Sequence, residues 1–178
     1  RIALETMEIY APLAERIGIQ KLKLELQDLS FNVLNPQVRE SIVHRLNSLI
    51  ENGEKMINDV VKEITETLTK SGIKAKVSGR QKTPYSIWMK MKQKNVSFEQ
   101  LSDIIAFRVI VKTLPECYQV LGAVHAEYKM VPESFQDFIS TPKNNGYQSL
   151  HTLVVGPMQQ KIEIQIRTEE MHEIAELG

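Results

Sequence analysis

The hydrophobic residues of this chain change their spacing near residue 71, and that change limits the folds available to it. From residue 2 to about residue 70, apolar side chains recur every three or four positions, which is the spacing of one helix face. Beyond that point, short segments alternate apolar and polar residues, as strands with one buried face do. We therefore expect a helical lead-in over residues 1–70 and an α+β domain over residues 71–178.

Capping and turn residues predict where several elements begin and end. Pro36 suits the first turn of a new helix, and Gly72 suits the end of the helical part. Thr83 is the expected N-cap of a helix over KTPYSIWMKMKQK, and Thr168 caps the last helix, TEEMHEIAEL. A further helix is predicted over LPECYQVLGAVHAEY.

Five segments have the composition of β-strands, namely IKAKVSG, IIAFRVIVK, FQDFIST, SLHTLVV and KIEIQIR. The connectors between them favour antiparallel pairing in most cases. We expect a mixed, mostly antiparallel sheet of about five strands, flanked by helices and preceded by the helical lead-in.

Composition excludes several classes of protein. Lys+Arg and Asp+Glu both number 22, so no net field would hold a nucleic-acid backbone, and an anionic partner must be met locally. Cys117 is the single cysteine, which excludes an internal disulfide and a cysteine-built metal site and favours a reducing cytoplasm. No apolar run has the length of a membrane span, and we expect no signal peptide. We expect a cytoplasmic segment of a longer protein.

Positive charge is concentrated between residues 70 and 98, which contain eight Lys and Arg residues and no Asp or Glu. Arg80 and Lys82 lie in the turn between a predicted strand and a predicted helix, where free N–H groups of the helix start would also attract an anion. Ser86 and Lys90 are one turn apart on that helix. The pattern indicates a phosphate site, while the other lysines fit a solvated helix face.

Two carboxylates are candidates for a metal site beside this positive segment. In KIEIQIR the isoleucines share one face, so Glu163 stands on the other face with Lys161, Gln165 and Arg167. From this strand alone, ordinary sheet surface explains Glu163 better. Asp103 precedes the strand IIAFRVIVK and either caps a turn or supplies a second carboxylate. Two carboxylates beside a phosphate site are ligands that Mg²⁺ takes.

The segment PKNNGYQSLHT, residues 142–152, holds more polar side chains than a connector between strands needs. Asn144, Asn145 and Gly146 already supply the turn. The surplus indicates contacts with a ligand and consists of Lys143, Tyr147, Gln148 and His151. Tyr147 fits equally well as a half-buried aromatic anchor, and a histidine on a strand is more often a structural hydrogen-bonding group.

Several of these motifs together resemble the synthetase domain of the RelA/SpoT homologue family, the enzymes that make the guanosine alarmones ppGpp and pppGpp. They are GRQKTPYSIWMKM, LSDIIAFRVIV, CYQVLGAVH, STPKNNGYQSLHT and EIQIRTEEMHEIAELG. TMEIYAPLAERIGI and the helices after it are similar to the segment that joins the family's hydrolase domain to its synthetase domain. The resemblance implies a nucleotidyltransferase-like fold and a role in the stringent response, with the ribosome or other regulators acting through domains outside this segment.

The resemblance also implies a reaction and a role for each matching residue. Pyrophosphate would pass from ATP to the 3′-hydroxyl of GDP or GTP, with release of AMP. The implied ATP contacts are Arg80, Lys82, Ser86, Lys90 and Arg108, the two arginines stacking on adenine. The implied Mg²⁺ ligands are Asp103 and Glu163, and Glu163 would also take the proton of the acceptor hydroxyl. Guanine would stack on Tyr147, and the remaining contacts to GDP or GTP would come from Lys143, Asn145, Gln148 and His151.

One motif departs from the family pattern. Where bifunctional members have Arg-x-Lys-Asp and synthesis-only members have Glu-x-Asp-Asp, this chain has Ser134-Phe135-Gln136-Asp137. Loss of the arginine and the lysine removes two charge-assisted contacts to the acceptor phosphates. We therefore expect a slow synthetase with a high Michaelis constant for the acceptor.

Two other functions compete with synthesis at this stage. A degenerate synthetase fold could bind guanine nucleotides as a regulatory module. An RNA-binding or assembly domain is disfavoured by the neutral charge and by the lack of interleaved aromatic residues. Release of AMP from ATP in the presence of GDP or GTP separates an enzyme from either alternative.

Overall fold

The computed structural model describes residues 1–101 and 104–177. The first seventy residues are helical, as the spacing of apolar residues predicts. The elements are α1 (Ile2–Glu5), a π-helical turn (Thr6–Tyr10), α2 (Ala11–Arg16), α3 (Gln20–Leu34) and α4 (Pro36–Lys70). No helix among the described residues combines the length and the apolar composition needed to cross a bilayer.

Strands and helices are mixed in the rest of the chain. The elements are β1 (Lys76–Gln81), α5 (Pro84–Lys94), β2 (Ile105–Val111), α6 (Leu114–Glu127), β3 (Lys129–Met130), β4 (Gln136–Asp137), β5 (Leu150–Val155), β6 (Lys161–Thr168) and α7 (Glu169–Leu177). Short 3₁₀ turns occupy Phe98–Gln100 and Pro157–Gln159.

The predicted capping residues lie where the sequence indicates. Pro36 is the first residue of α4, and Gly72 follows that helix with a φ of +75°, the left-handed conformation that glycine adopts without steric cost. The Thr83 hydroxyl accepts a hydrogen bond from the Ser86 N–H at the start of α5. The Thr168 hydroxyl accepts one from the Met171 N–H at the start of α7. These four boundaries are confirmed, and each of the predicted residues acts within a few positions along the chain.

The sheet has the strand order β1-β2-β6-β5-β3, and β4 pairs with the first two residues of β5. Strands β2 and β6 are parallel, and the other paired strands are antiparallel. The predicted α+β class and mostly antiparallel sheet are therefore confirmed. The described residues form six strands instead of about five, because the two-residue strand β3 has no detectable sequence pattern.

The predicted strand FQDFIST is much shorter in the structure, where only Gln136–Asp137 is a strand. The Asp137 carboxylate accepts hydrogen bonds from the N–H groups of Ile139 and Ser140, both at 2.9 Å. These amides bond to a turn instead of a neighbouring strand, so the ladder stops at Asp137. The first predicted strand also shifts, from residues 73–79 to Lys76–Gln81.

The described chain divides into two compact units. The first contains residues 1–53, 82–101 and 174–177, and the second contains residues 54–81 and 104–173. In the second unit, one face of the sheet packs on the last part of α4 and on α6. Its core includes Ile64 and Leu68 of α4, Phe107 and Val109 of β2, Val120 and Val124 of α6, and Ile164 and Ile166 of β6.

Helices α3 and α5 pack against each other in the first unit. Phe31 of α3 is buried, and its ring stacks on Trp88 of α5 with centroids 4.9 Å apart and makes an edge contact with Tyr85. Helical spacing predicts the helices of the lead-in correctly, but it does not predict which of their apolar side chains are buried. Ile9 and Leu13, two of the residues that set the helical pattern, are about half exposed.

Candidate active site

One face of the sheet in the second unit is polar, and it carries several of the predicted site residues. Ser78, Arg108, Gln165 and His151 stand in register across β1, β2, β6 and β5. The next row contains Arg80, Ala106, Glu163 and Leu153. Residues in register project to the same side of a sheet. The structure therefore brings four predicted residues onto one surface, namely Arg80, Arg108, Glu163 and His151.

Glu163 lies in the middle of β6 and is half-buried. The Gln165 side-chain amide donates a 2.9 Å hydrogen bond to Glu163 Oε1, which fixes the orientation of the carboxylate. Ala106 is its neighbour in register, and a methyl group leaves room beside the carboxylate. The sequence places Gln165 on the polar face without predicting this contact, although its alternation with Glu163 is a signal for it.

Arg167 lies on the same face of β6 as Glu163 and Gln165. Unlike a residue of a solvated polar face, which the sequence predicts, it is buried. It is only 2% exposed, and its Cζ atom lies 6.0 Å from the centre of the Tyr147 ring. The polar face is therefore closed at this end by an arginine that packs beside an aromatic ring.

The acceptor loop, residues 138–149 between β4 and β5, carries several of the residues predicted to bind GDP or GTP and forms a turn through hydrogen bonds within itself. The Tyr147 N–H donates to the Asn145 side-chain oxygen at 3.0 Å, and the Gly146 N–H donates to the Lys143 carbonyl at 2.8 Å. Gly146 has a φ of +83°, which explains a glycine at this position. Lys143, Asn145 and Tyr147, which are predicted to bind GDP or GTP, are thus held together by the turn itself.

Tyr147 is 7% exposed and lies in a cluster of side chains from the same loop and from β5. Its hydroxyl is 2.9 Å from His151 Nε2, so these two predicted residues are directly hydrogen-bonded. The rings of Phe138 and His151 make edge contacts with Tyr147, and Lys143 Nζ lies 5.3 Å from its centroid. Gln148 donates from its side chain to the Ile139 carbonyl at 3.3 Å, which ties the two ends of the loop together.

Ser134 and Asp137 belong to the motif that departs from the family pattern, and both form hydrogen bonds within the chain. Ser134 Oγ donates to the Val131 carbonyl at 2.6 Å and lies 3.1 Å from the Leu153 carbonyl of β5. Partial burial raises the pKa of Asp137, but hydrogen bonds from the Ser140 N–H, the Tyr118 hydroxyl and the Ile139 N–H outweigh it and hold the pKa below its ordinary value. Gln136, between them, is exposed.

The predicted ATP segment in the first unit is a capped helix. Lys82 precedes α5, and Ser86 and Lys90 lie on it, all three half-buried. The expectation that the helix start offers free N–H groups to phosphate is wrong for the N–H groups of Tyr85 and Ser86. The Ser86 N–H bonds to the Thr83 hydroxyl, and the Tyr85 N–H bonds to Asp28 Oδ1 at 3.1 Å. A carboxylate of the chain itself thus takes the place of an external anion.

Asp103, the other predicted metal ligand, lies outside the described residues. Within residues 1–101 and 104–177, no three His, Cys, Asp or Glu side chains are grouped as a metal site.

Comparison of the chain with known proteins identifies its family. A family model described as "Region found in RelA / SpoT proteins" matches residues 79–178, more than half of the chain. This chain belongs to the RelA/SpoT family. The resemblance predicted from its motifs is therefore confirmed.

RelA/SpoT relatives match the chain from end to end. It is 50% identical over 178 residues to GTP pyrophosphokinase rsh from Brucella melitensis and 46% identical over 176 residues to GTP pyrophosphokinase from Escherichia coli K12. These alignments cover 100% and 99% of this chain but only 24% of each relative. The chain thus spans about a quarter of the length of the RelA/SpoT proteins that it matches.

Solved structures of similar proteins support the same fold. The small alarmone synthetase 1 from Bacillus subtilis, bound to its product pppGpp, aligns with a TM-score of 0.58 and 22% identity, over 72% of this chain and 75% of that one. A GTP pyrophosphokinase family protein from Streptococcus pneumoniae aligns with a TM-score of 0.55 and 25% identity, over 72% and 71%. The predicted nucleotidyltransferase-like fold is thereby confirmed.

Proposed function

We propose that this chain forms the alarmone synthetase part of a longer RelA/SpoT protein. It transfers pyrophosphate from ATP to the 3′-hydroxyl of GDP or GTP and releases AMP. The observation that carries the proposal is the polar sheet face, where a carboxylate and two arginines stand in adjacent register rows of a RelA/SpoT chain. Transfer of this kind depends on alignment of the reactants and on stabilisation of charge, for which such a surface is suited.

The substrates use different parts of the chain in this proposal. ATP contacts Arg80, Lys82, Ser86, Lys90 and Arg108, with the guanidinium planes on adenine and the lysines on phosphates. GDP or GTP contacts Lys143, Asn145, Tyr147, Gln148 and His151. The hydrogen bond between Tyr147 and His151 supports a common role for these two side chains.

Glu163 accepts the proton of the attacking hydroxyl in this proposal. A general base must hold its carboxylate in one orientation within reach of the proton. The bond from Gln165 to Glu163 Oε1 supplies that orientation, and the mid-strand position keeps the backbone fixed. Gln165 therefore acts as a positioning residue for Glu163.

Asp103 and Glu163 are the residues that would hold Mg²⁺. The half-buried Glu163 carboxylate fits the preference of Mg²⁺ for oxygen ligands, and Mg²⁺ takes one or two carboxylates together with substrate phosphates and water. When bound, the ion neutralises negative charge on the phosphates.

The organisation of the longer protein belongs to the same proposal. Residues 71–178 form the synthetase domain, and residues 1–70 lead into it from a preceding hydrolase domain. The ribosome or other regulators act through domains outside this segment, and the protein works in the cytoplasm.

A direct assay tests the proposed function. The chain is incubated with ATP, Mg²⁺ and either GDP or GTP, and AMP and the alarmone are separated by anion-exchange chromatography. We expect both products in equal amounts and neither after chelation of the metal. Binding of GDP without AMP release would instead identify a regulatory module.

A further inference from the structure

The start of α5 is held by a residue that is distant in sequence. Asp28 of α3 accepts a hydrogen bond from the Tyr85 N–H, 57 positions later in the chain, and receives a 2.7 Å ion pair from Arg39 on its other oxygen. Both charged side chains are largely shielded, with exposed fractions of 16% for Asp28 and 27% for Arg39. This pair is therefore a built contact between helices and differs from a solvated surface ion pair.

The first three residues of α5 offer no unbonded N–H group. Pro84 has no N–H, the Tyr85 N–H bonds to Asp28, and the Ser86 N–H bonds to Thr83 Oγ1. A carboxylate at a helix N-terminus also interacts favourably with the helix dipole. Asp28 thus completes the cap that Thr83 begins.

Aromatic packing continues the same contact along α5. Phe31 lies one turn after Asp28 on α3, and its buried ring stacks on Trp88, one turn after the capped residue of α5. Lys92 Nζ lies 4.3 Å from the centre of the Trp88 ring. The helix that carries Ser86 and Lys90 is therefore fixed both at its start and along one side.

We propose that Asp28 is a positioning residue for ATP: by capping α5 from α3 it fixes the helix that presents Ser86 and Lys90 to the nucleotide. The inference rests on the proposed function, because it assigns those two residues to ATP. It also gives the helical lead-in a part in positioning the proposed ATP residues of α5, since Asp28 and Arg39 both precede residue 70. Nucleotide phosphates are then bound by side chains and not by these two helix-start N–H groups.

Two substitutions test the cap in graded steps. Asp28→Asn keeps an oxygen that can accept from Tyr85 but loses the charge, and Asp28→Ala loses both. A cap of this kind is worth a factor of about two to thirty in helix formation. We expect the KM for ATP to rise about threefold in Asp28→Asn and about tenfold in Asp28→Ala, with the KM for GDP changed less than about twofold.

Glu15→Gln is the matched control. Glu15 forms a 3.0 Å ion pair with Lys23, so this change also converts a paired carboxylate of the first unit into an amide. Lys23 belongs to α3, but the contact does not involve α5. We expect Glu15→Gln to leave both Michaelis constants unchanged, and thermal unfolding of all variants records any general loss of stability.

Three results would overturn the inference. They are an unchanged KM for ATP in Asp28→Ala, an equal rise for both substrates, and a lower KM for ATP. The last would mean that Asp28 competes with a phosphate for the helix start. The dissociation constant of a non-hydrolysable ATP analogue, titrated against the emission of Trp88, the single tryptophan, provides a reading without turnover.

Failure of the proposed function is distinguishable from failure of the inference. If the wild-type chain makes no alarmone, the proposed function is wrong. The analogue titration then decides the inference, which survives only if Asp28→Ala weakens analogue binding relative to Glu15→Gln. If synthesis occurs and Asp28→Ala behaves as Glu15→Gln does, the inference alone is wrong.

Discussion

The predicted ATP segment and the predicted acceptor loop are positioned in different ways. Helix α5 is capped by Asp28, a residue 57 positions away, and packs on a buried phenylalanine of α3. The acceptor loop instead closes on itself, with Tyr147 bonded to Asn145 two residues before it and to His151 four residues after it. One region depends on tertiary packing, and the other depends mainly on its own sequence.

The difference has a consequence for how each region responds to mutation. A change in the acceptor loop alters the residues that hold the loop and those assigned to GDP or GTP at the same time. A change at Asp28 alters α5 without touching an assigned nucleotide contact. A change in the acceptor loop should therefore raise the KM for GDP or GTP more than the KM for ATP. A change at Asp28 should do the reverse.

The largest effect is expected from a change that leaves both regions intact. Glu163→Gln removes the proposed proton acceptor and a proposed metal ligand from β6, and we expect turnover to fall at least about a hundredfold. Asp103→Asn should have an effect of the same size. Binding of ATP and of GDP, measured by calorimetry, should change much less than turnover. Wild-type rates in both variants would remove the catalytic assignment of the polar sheet face.

Tyr147→Ala changes the acceptor loop and leaves α5 unaltered. We expect GDP binding to weaken by about 1 to 3 kcal/mol, the usual worth of base stacking, while ATP binding stays unchanged. This pattern is the reverse of the one expected for Asp28→Ala. Because Tyr147 is buried, the melting temperature should fall as well. Normal GDP binding with a lower melting temperature would make Tyr147 a structural anchor only.

Tyr147→Phe separates the ring from the hydroxyl. The ring can still stack on guanine, so GDP binding should change little. The hydroxyl that contacts His151 is lost, and a stability loss of about 1 kcal/mol is expected from that contact. A loss of GDP binding as large as that of Tyr147→Ala would contradict a stacking role.

A charge added beside the acceptor loop should have a smaller effect. Restoring both Ser134→Arg and Gln136→Lys would break the bonds from Ser134 to Val131 and Leu153, so the single change Gln136→Lys is the cleaner experiment. We expect the acceptor KM to fall about two- to fivefold, as for one exposed charge contact, with the KM for ATP constant.

Two other results of this experiment are informative. An unchanged acceptor KM would place residue 136 away from the nucleotide. A faster turnover at constant KM would place the new charge at the transition state, since uniform binding changes KM and differential binding changes turnover.

The smallest effect concerns the tie between α6 and the start of the acceptor loop. Tyr118→Phe removes a 2.9 Å hydrogen bond to Asp137 Oδ2, and we expect a loss of less than about 1 kcal/mol at this exposed position. The folded-state pKa of Asp137 lies below the ordinary value of an aspartate, so the stabilisation is present above that ordinary value and disappears as pH falls through the lower folded value.

Urea unfolding across pH measures this dependence. The difference between wild type and Tyr118→Phe should be constant from pH 7 to pH 5 and should shrink below pH 4. Tyr10→Phe, at a tyrosine that is 51% exposed in the first unit, is the control and should show no such trend. A difference that persists unchanged into acid would mean that the ring, and not the charged hydrogen bond, stabilises the loop.

Features that depend on neighbours along the chain could be predicted from the residue pattern. The helix starts at Pro36 and Thr83, the glycine at 72 and the alternation of β6 all act within about four residues, so a local pattern is sufficient to predict them. The family motifs added which side chains to expect at the site.

Tertiary structure alone decided the contacts that join distant parts of the chain. Alternation placed Arg167 on a polar face, but only the packing around Tyr147 buries it. No sequence pattern indicates that β2 lies parallel to β6, or that Asp28 bonds to the Tyr85 N–H. The physical reason is that these contacts depend on which elements meet in space, and hydrophobic spacing specifies the face of an element but not its partner.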